Sequence, residues 1–368
     1  LDFDEYGATL PKIIHVAGTT YAIAYQGYET DGYLVTIPIQ NDGTIGAVID
    51  SLEFDTANGV APWIIHIAGN VYAIAYVGPS SNGTLKTLPI ANDGTIGAVI
   101  DTFTFDPGAT IIEPVIVHIA GNVYAIFYGG PDNDGWLKTV TINDDGTIGG
   151  EIDSLEFDTA YGVYSDPIRI AGNVWAIAYT ADALFGPGRI KTFTIADNGT
   201  IASIASYDYE SNQTGPPDIF HISGNVYGIA YGGPGYDGWL KTVTINDDGS
   251  IGTVISFLEF DTTYGKNPWV IPIGANVWAI AYDGPDGDGW LRTIKIENGG
   301  TITGEVDSLE YDPSMGMYQS MVHVSGDTYA IAYFGPGNDG WLKTVEITTP
   351  VAPRLVINKA YALSREEL

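Results

Sequence analysis

The chain of 368 residues contains no cysteine. Disulfide frameworks and thiolate metal sites are thereby excluded. Basic side chains are scarce, with Lys+Arg 14 against Asp+Glu 45 and a net charge of −31. A phosphate backbone or an anionic lipid surface needs a basic face to bind. The expectation is therefore no nucleic-acid partner and no electrostatic docking on membranes. No apolar run is long enough for a membrane-spanning helix, so no direct membrane insertion is expected. The acidity does not signal disorder, because 45% of residues are hydrophobic and 12% aromatic. Several catalytic signatures are also missing. There is no Gly-x-Ser-x-Gly elbow, no His-Glu-x-x-His and no phosphate-binding Gly-Lys loop. The Ser-x-Asp-x-Gly-x-x-Trp boxes of sialidase-type propellers are absent too.

Repetition is what the chain does contain. The segment His66-Ile67-Ala68-Gly69-Asn70-Val71-Tyr72-Ala73-Ile74-Ala75-Tyr76 recurs almost unchanged. Its last tyrosine returns as Tyr25, Tyr128, Tyr179, Tyr231, Tyr282 and Tyr333, at intervals of 51 or 52 residues. Within one unit, Val115–Ile119, Val123–Tyr128, Trp136–Ile142 and Glu151–Asp158 read as β-runs separated by Gly, Asn and Asp turns. Four antiparallel strands in about 50 residues, repeated, mark a β-propeller blade. The fold class expected is all-β, a seven-bladed β-propeller.

The termini predict how the ring closes. The last repeat stops after Trp341 to Ile347 without a fourth strand, while Leu1-Asp2-Phe3-Asp4 matches Leu155-Glu156-Phe157-Asp158. The N-terminal segment is expected to complete the last blade and leave no open edge. Residues 1–349 then form the propeller. Residues 350–368 read as a C-terminal tail or linker start, with assembly through that segment a further expectation.

In such a blade the loops from second to third strand, and from one blade to the next, share a face. These are the long loops, and loops carry function. The face collects Tyr33, Trp136, Trp239, Trp290 and Trp341 at the starts of third strands. Asp134, Asp237, Asp288 and Asp339 stand two residues before four of them, and Trp63 and Trp269 lie at the starts of first strands. Rings beside carboxylates suit sugars, whose C–H faces stack while hydroxyls donate. The competing reading wedges these rings between blades and leaves Asp-Gly to make turns. Asp132 with Asp134, and Asp286 with Asp288, resemble fragments of calcium loops, so Ca²⁺ is a candidate ligand although no cofactor is required. His15, His66, His118, His221 and His323 share one repeat position and are expected to be structural, with first-strand side chains directed between blades. Lys138, Lys191, Lys241, Arg292 and Lys343 are expected to pair with fourth-strand carboxylates of their own blades.

The strings Gly121-Asn122-Val123-Tyr124-Ala125-Ile126 and Gly135-Trp136-Leu137-Lys138-Thr139-Val140-Thr141-Ile142 resemble the plan of YVTN-type and LVIVD-type propeller repeats. The resemblance covers all seven units to about residue 349 and transfers no site residues. It implies an extracellular or cell-surface location and an adhesive or binding role.

Together these readings predict a secreted or surface binding propeller, lectin-like or adhesive and not an enzyme, with a glycan or surface protein as partner. One alternative is a structural module of a surface layer or filament. The other is an enzyme at the irregular blades, using Asp182, Arg189, Asp208 and Glu210.

Overall fold

A computed structural model describes residues 1–4, 7–108, 110–348 and the strand Arg354–Ile357. It is a seven-bladed β-propeller of four-stranded antiparallel blades, as the repeat predicts. In the third blade the strands are Ile112–Ala120, Val123–Gly129, Gly135–Ile142 and Ile148–Asp158, numbered outward from the axis. The last blade has Met317–Ser325, Thr328–Phe334 and Gly340–Thr348, and its outer edge is taken by Asp2–Asp4. Asp2 pairs with Trp341, and the Leu342 amide donates to the Leu1 carbonyl at 2.7 Å. Arg354–Ile357 pairs with the same strand farther along, Thr348 opposite Arg354 and Val345 opposite Ile357. The rest of the expected tail lies outside the described residues.

The core lies between the blades. Second strands are buried along all or nearly all of their length, as Val71–Val77 is throughout, so both of their faces must meet apolar neighbours. Seven clusters of buried side chains result, each spanning two adjacent blades; one unites Ile74 and Tyr76 with Ala22, Ala24 and Phe54. At the start of each third strand a glycine faces the aromatic ring near the end of the fourth. A Cβ on Gly135 would come within 2.2 Å of Phe157.

Polar contacts reinforce the same seams and correct the expected ion pairs. The Tyr76 hydroxyl donates to Asp55 Oδ2 at 2.7 Å, and Lys86 Nζ donates to the same oxygen at 2.9 Å. Asp55 ends the outer strand of the preceding blade. Tyr231, Lys241 and Glu210 repeat this arrangement, as do Tyr333, Lys343 and Asp312. The third-strand cations thus bridge blades, and some also pair within their own, Lys138 with Glu151 at 3.2 Å and Arg292 with Glu305. Lys138 reaches back to the Phe105 carbonyl, Lys191 to that of Phe157, and Arg292 to Asp261. At the opposite face the histidines behave as expected. Each caps its own turn through Nε2, as His66 does with the Gly69 carbonyl at 3.0 Å. Arg169 takes the same place, donating to Gly172.

Candidate active site in the mouth of the axial channel

The inner strands share a local distortion. Five residues before the histidine position the backbone enters the left-handed region at Leu10, Ala61, Glu113, Tyr164, Asn267 and Tyr318, with φ between 39° and 58°. Non-glycine residues rarely adopt it. Each accompanies a β-bulge, as where the pairing shifts between Val60 and Trp63. Pro216 holds the equivalent place in the fifth blade, where its ring fixes φ negative, and no shift occurs there.

Beyond the bulge, three residues before the histidine position, come Lys12, Trp63, Val115, Asp166, Asp218, Trp269 and Ser320. All but Ser320 line a cavity of about 100 Å³ on the long-loop face, to which every blade contributes. The expectation that first-strand side chains point between blades fails here; the stretch follows a bulge in six blades, and in the fifth Asp218 lines the cavity without one.

The cavity chemistry is asymmetric. Trp63 and Trp269 come from the second and sixth blades, which are not neighbours, yet their ring centroids are 6.0 Å apart. Lys12 Nζ lies 4.6 Å from one centroid and 4.4 Å from the other, a cation held on two indole faces. The Trp269 indole N–H donates to the Met321 carbonyl at 3.0 Å, fixing that ring. Among the described residues, Lys12 forms no direct ion pair. Its countercharges, Glu113, Asp166 and Asp218, stand around the same cavity.

Each of these groups keeps some surface on the cavity, while the surrounding walls withdraw it from bulk water. Burial pushes the Asp166 carboxyl up to about 7, opposed by the Ile219 amide, which donates to it at 2.7 Å. Burial, then the Asp166 charge, push Asp218 well above the usual carboxylate range although it accepts the Val270 amide. Glu113 moves up for the same first reason. Burial lowers Lys12 to about 8, with the three carboxylates opposing the shift. Behind the wall, Asp283 accepts from Asn267 Nδ2 at 2.5 Å and from the Tyr318 amide at 3.0 Å, and burial pushes it up to about 7. It braces two of the left-handed residues at the rim.

The residues expected from sequence divide between two places. Trp63 and Trp269 are in the cavity wall. Tyr33, Trp136, Trp239, Trp290 and Trp341 are not; they sit on third strands, paired with second-strand tyrosines, Trp136 opposite Tyr128. A Cβ on Gly130 would lie 2.5 Å from the Trp136 ring. Asp134, Asp237 and Asp288 each hydrogen-bond a fourth-strand carboxyl, respectively Glu156, Glu259 and Glu310. Asp339 occupies the matching turn of the last blade, where its carbonyl accepts the Gly335 amide. Asp132 and Asp286 stand in left-handed conformation at the loop tips. Among the described residues, no three carboxylate or histidine side chains gather as a metal-binding group.

Of the four residues expected at the irregular blades, Asp182, Arg189 and Asp208 meet in one ion cluster and Glu210 stands apart. Arg189 is saturated by Asp158, Asp182 and Asp208 at 3.0, 2.9 and 2.6 Å, whereas Glu210 belongs to the next seam. Lys295 pairs with Glu297. Lys266 Nζ lies over the rings of Tyr236 and Tyr264, at 3.6 and 5.0 Å.

Neither a family model nor any curated protein sequence matches the chain. Among solved structures it is similar to the periplasmic gluconolactonase of Pseudomonas aeruginosa, at 15% identity and a TM-score of 0.60 over 81% of this chain and 84% of that one. A Bacteroides uniformis protein described as a 6-phosphogluconolactonase gives 12% identity and a TM-score of 0.62 over 90% and 91%. The WD40 domain of Toxoplasma gondii coronin gives 12% and 0.64 over 97% and 87%. The resemblance to YVTN-type and LVIVD-type repeats thus holds at the level of the propeller plan. The non-catalytic, adhesive reading is corrected by the lactonase neighbours, together with the asymmetric charge cluster in the channel. The cavity position carries Asp in only two of the seven blades, Asp166 and Asp218, beside Lys, Trp, Val and Ser in the others.

Proposed function

We propose that the protein is a hydrolase acting on a small sugar-derived lactone bound in the channel mouth. The observation that carries this reading is the meeting of Asp166 and Asp218 with Lys12 between Trp63 and Trp269. A carboxyl titrating near neutrality is suited to general base and acid work. In the proposed reaction Asp166 takes a proton from water as its oxygen adds to the lactone carbonyl. The Lys12 ammonium stabilises the oxyanion that forms. The ring acyl C–O bond then breaks, and the proton passes to the departing ring oxygen, giving a hydroxy acid. Trp63 offers an apolar face to the sugar ring.

The test is a titrimetric assay of gluconolactone opening by the full chain, beside Asp166→Asn and Asp218→Asn. A general base contributes about 10²–10⁴-fold, so Asp166→Asn is expected to lower kcat/KM by at least about 100-fold, and Asp218→Asn, which removes the charge beside it, to lower kcat/KM as well. A wild-type rate no faster than spontaneous hydrolysis sinks the proposal, and so do variants of unchanged rate. An extracytoplasmic location accompanies this reading, supported by the periplasmic neighbour. Among the described residues, no helix is long and apolar enough to cross a membrane. Recovery of the native protein in a cytoplasmic fraction would exclude that location.

A further inference from the structure

Cations on the long-loop face are nearly all committed. The third-strand lysines and Arg292 bind the seams, and Arg189 is saturated by three carboxylates. Among the described residues, two side chains remain: Lys12 and Lys266. Lys12 is held on two indole faces, and Lys266 lies on the rings of Tyr236 and Tyr264. Neither offers the open, multidentate donor set by which a phosphate is usually held.

Carboxyl groups are abundant instead, and they take on negative charge as pH rises through about 7. Glu113, Asp166 and Asp218 line the cavity, and Asp283 stands just behind Asn267 and Tyr318. An anionic group entering this space would leave water, meet among the described residues a single cation, Lys12, already held on two indole faces, and face several carboxyl groups. The remaining wall consists of uncharged groups, namely Asn267, Tyr164, Tyr318 and the indole faces. These serve hydroxyls and C–H faces.

We infer that the channel mouth accepts a neutral, polyhydroxylated lactone and excludes phosphorylated or carboxylated sugars. This substrate class rests on the lactone-hydrolase reading above, and it separates the two kinds of lactonase neighbour from each other. It also accounts for release. Opening the lactone turns a neutral substrate into a carboxylate, which the same field repels from the site that formed it.

The test compares gluconolactone with its 6-phosphate in the hydrolysis assay and adds a binding measurement independent of turnover. In the latter, inorganic phosphate and glucose 6-phosphate are titrated against the intrinsic tryptophan fluorescence, with Trp63→Phe identifying the channel signal. Like-charge juxtaposition costs several kcal/mol, so at a pH above the Asp166 value of about 7 the kcat/KM for the neutral lactone is expected to exceed that for the phosphorylated one by about 100-fold or more. Glu113→Arg, which supplies an anchor, should narrow that gap. Equal or faster turnover of the phosphorylated lactone overturns the substrate class and leaves the lactonase reading standing. If neither lactone is opened, the lactonase reading fails and binding decides. Saturable quenching of the channel signal by phosphate or glucose 6-phosphate overturns the exclusion of anions; its absence supports it.

Discussion

The Tyr76 hydroxyl and Asp55 Oδ2 are 2.7 Å apart and belong to different blades. The tyrosine is fully buried, and its partner is the last residue of the previous outer strand. The most regular feature of the sequence, a tyrosine every 51 or 52 residues, therefore records a joint between units and not a part internal to one.

Removing that hydroxyl is expected to weaken one seam. Tyr76→Phe leaves Asp55 with Lys86 and two turn amides. The expected loss is about 1–3 kcal/mol, the cost of a buried acceptor deprived of a donor, read from urea unfolding. Tyr28→Phe is the control, since Tyr28 is 61% exposed. Equal stability of the two variants would remove the load from the seam.

Closure gives a second expectation. Phe3 is buried against the first and last blades, and Leu1 exchanges hydrogen bonds with Leu342 at 2.8 and 2.7 Å. Removing residues 1–4 should cost at least about 3 kcal/mol, as truncating a buried phenylalanine does, and should expose the edge of Gly340–Thr348. Removing residues 364–368 is the comparison. A melting temperature that falls no further for the first deletion than for the second would refute this closure.

The glycine at the head of each third strand has a steric reason. A methyl group on Gly135 would sit 2.2 Å from Phe157. Gly135→Ala is expected to destabilise by about 1–3 kcal/mol through overpacking. The double variant Gly135→Ala, Phe157→Leu should recover part of the loss if this clash is the cause. No recovery would point to backbone strain instead.

The buried carboxyls predict a pH signature. Asp166 moves from its ordinary 3.8 up to about 7 on folding, chiefly through burial. The folded state thus holds this proton longer than the unfolded chain does. The resulting contribution to stability is complete below pH 3.8 and is lost as pH rises through about 7. Asp166→Asn keeps an acceptor for the Ile219 amide and cannot ionise. Relative to wild type, the variant should gain stability steadily between pH 4 and pH 7, measured as urea midpoints across that range. A difference that does not change with pH would show that Asp166 keeps an ordinary pKa.

The fold was legible because its information is periodic. Tyr25 to Tyr333 counted the blades, and the match of Leu1–Asp4 to Leu155–Asp158 located the closing strand. The site was only half legible. Trp63 and Trp269 stood out as large aromatics, but Lys12, Glu113, Asp166 and Asp218 passed unnoticed. Sequence periodicity directed inner-strand side chains between blades, and a bulge is invisible to a two-residue period. A signal existed nonetheless. The position three residues before the histidine position, which Arg169 and Pro272 fill in two blades, carries Lys, Trp, Val, Asp, Asp, Trp and Ser in turn, within units otherwise similar. A repeat position that changes its chemistry inside a uniform repeat has been released from the packing that fixes its neighbours. The third-strand tryptophans misled for the converse reason, since they recur because each fills the same gap beneath a glycine loop.

The left-handed residue in six of the inner strands has a consequence for the history of the fold. Because the bulge absorbs one residue without a partner, the side chain at that position answers to neither the ladder nor the blade seam. The ring of such positions works like a set of interchangeable fittings around a common bore. Leu10, Ala61, Glu113, Tyr164, Asn267 and Tyr318 range from aliphatic to acidic to aromatic on one backbone geometry. Gene duplication could copy the unit wholesale, and point changes at this ring could then diversify the mouth while the seams stayed fixed. A symmetric scaffold acquires an asymmetric pocket by this route without giving up any of the contacts that hold it closed.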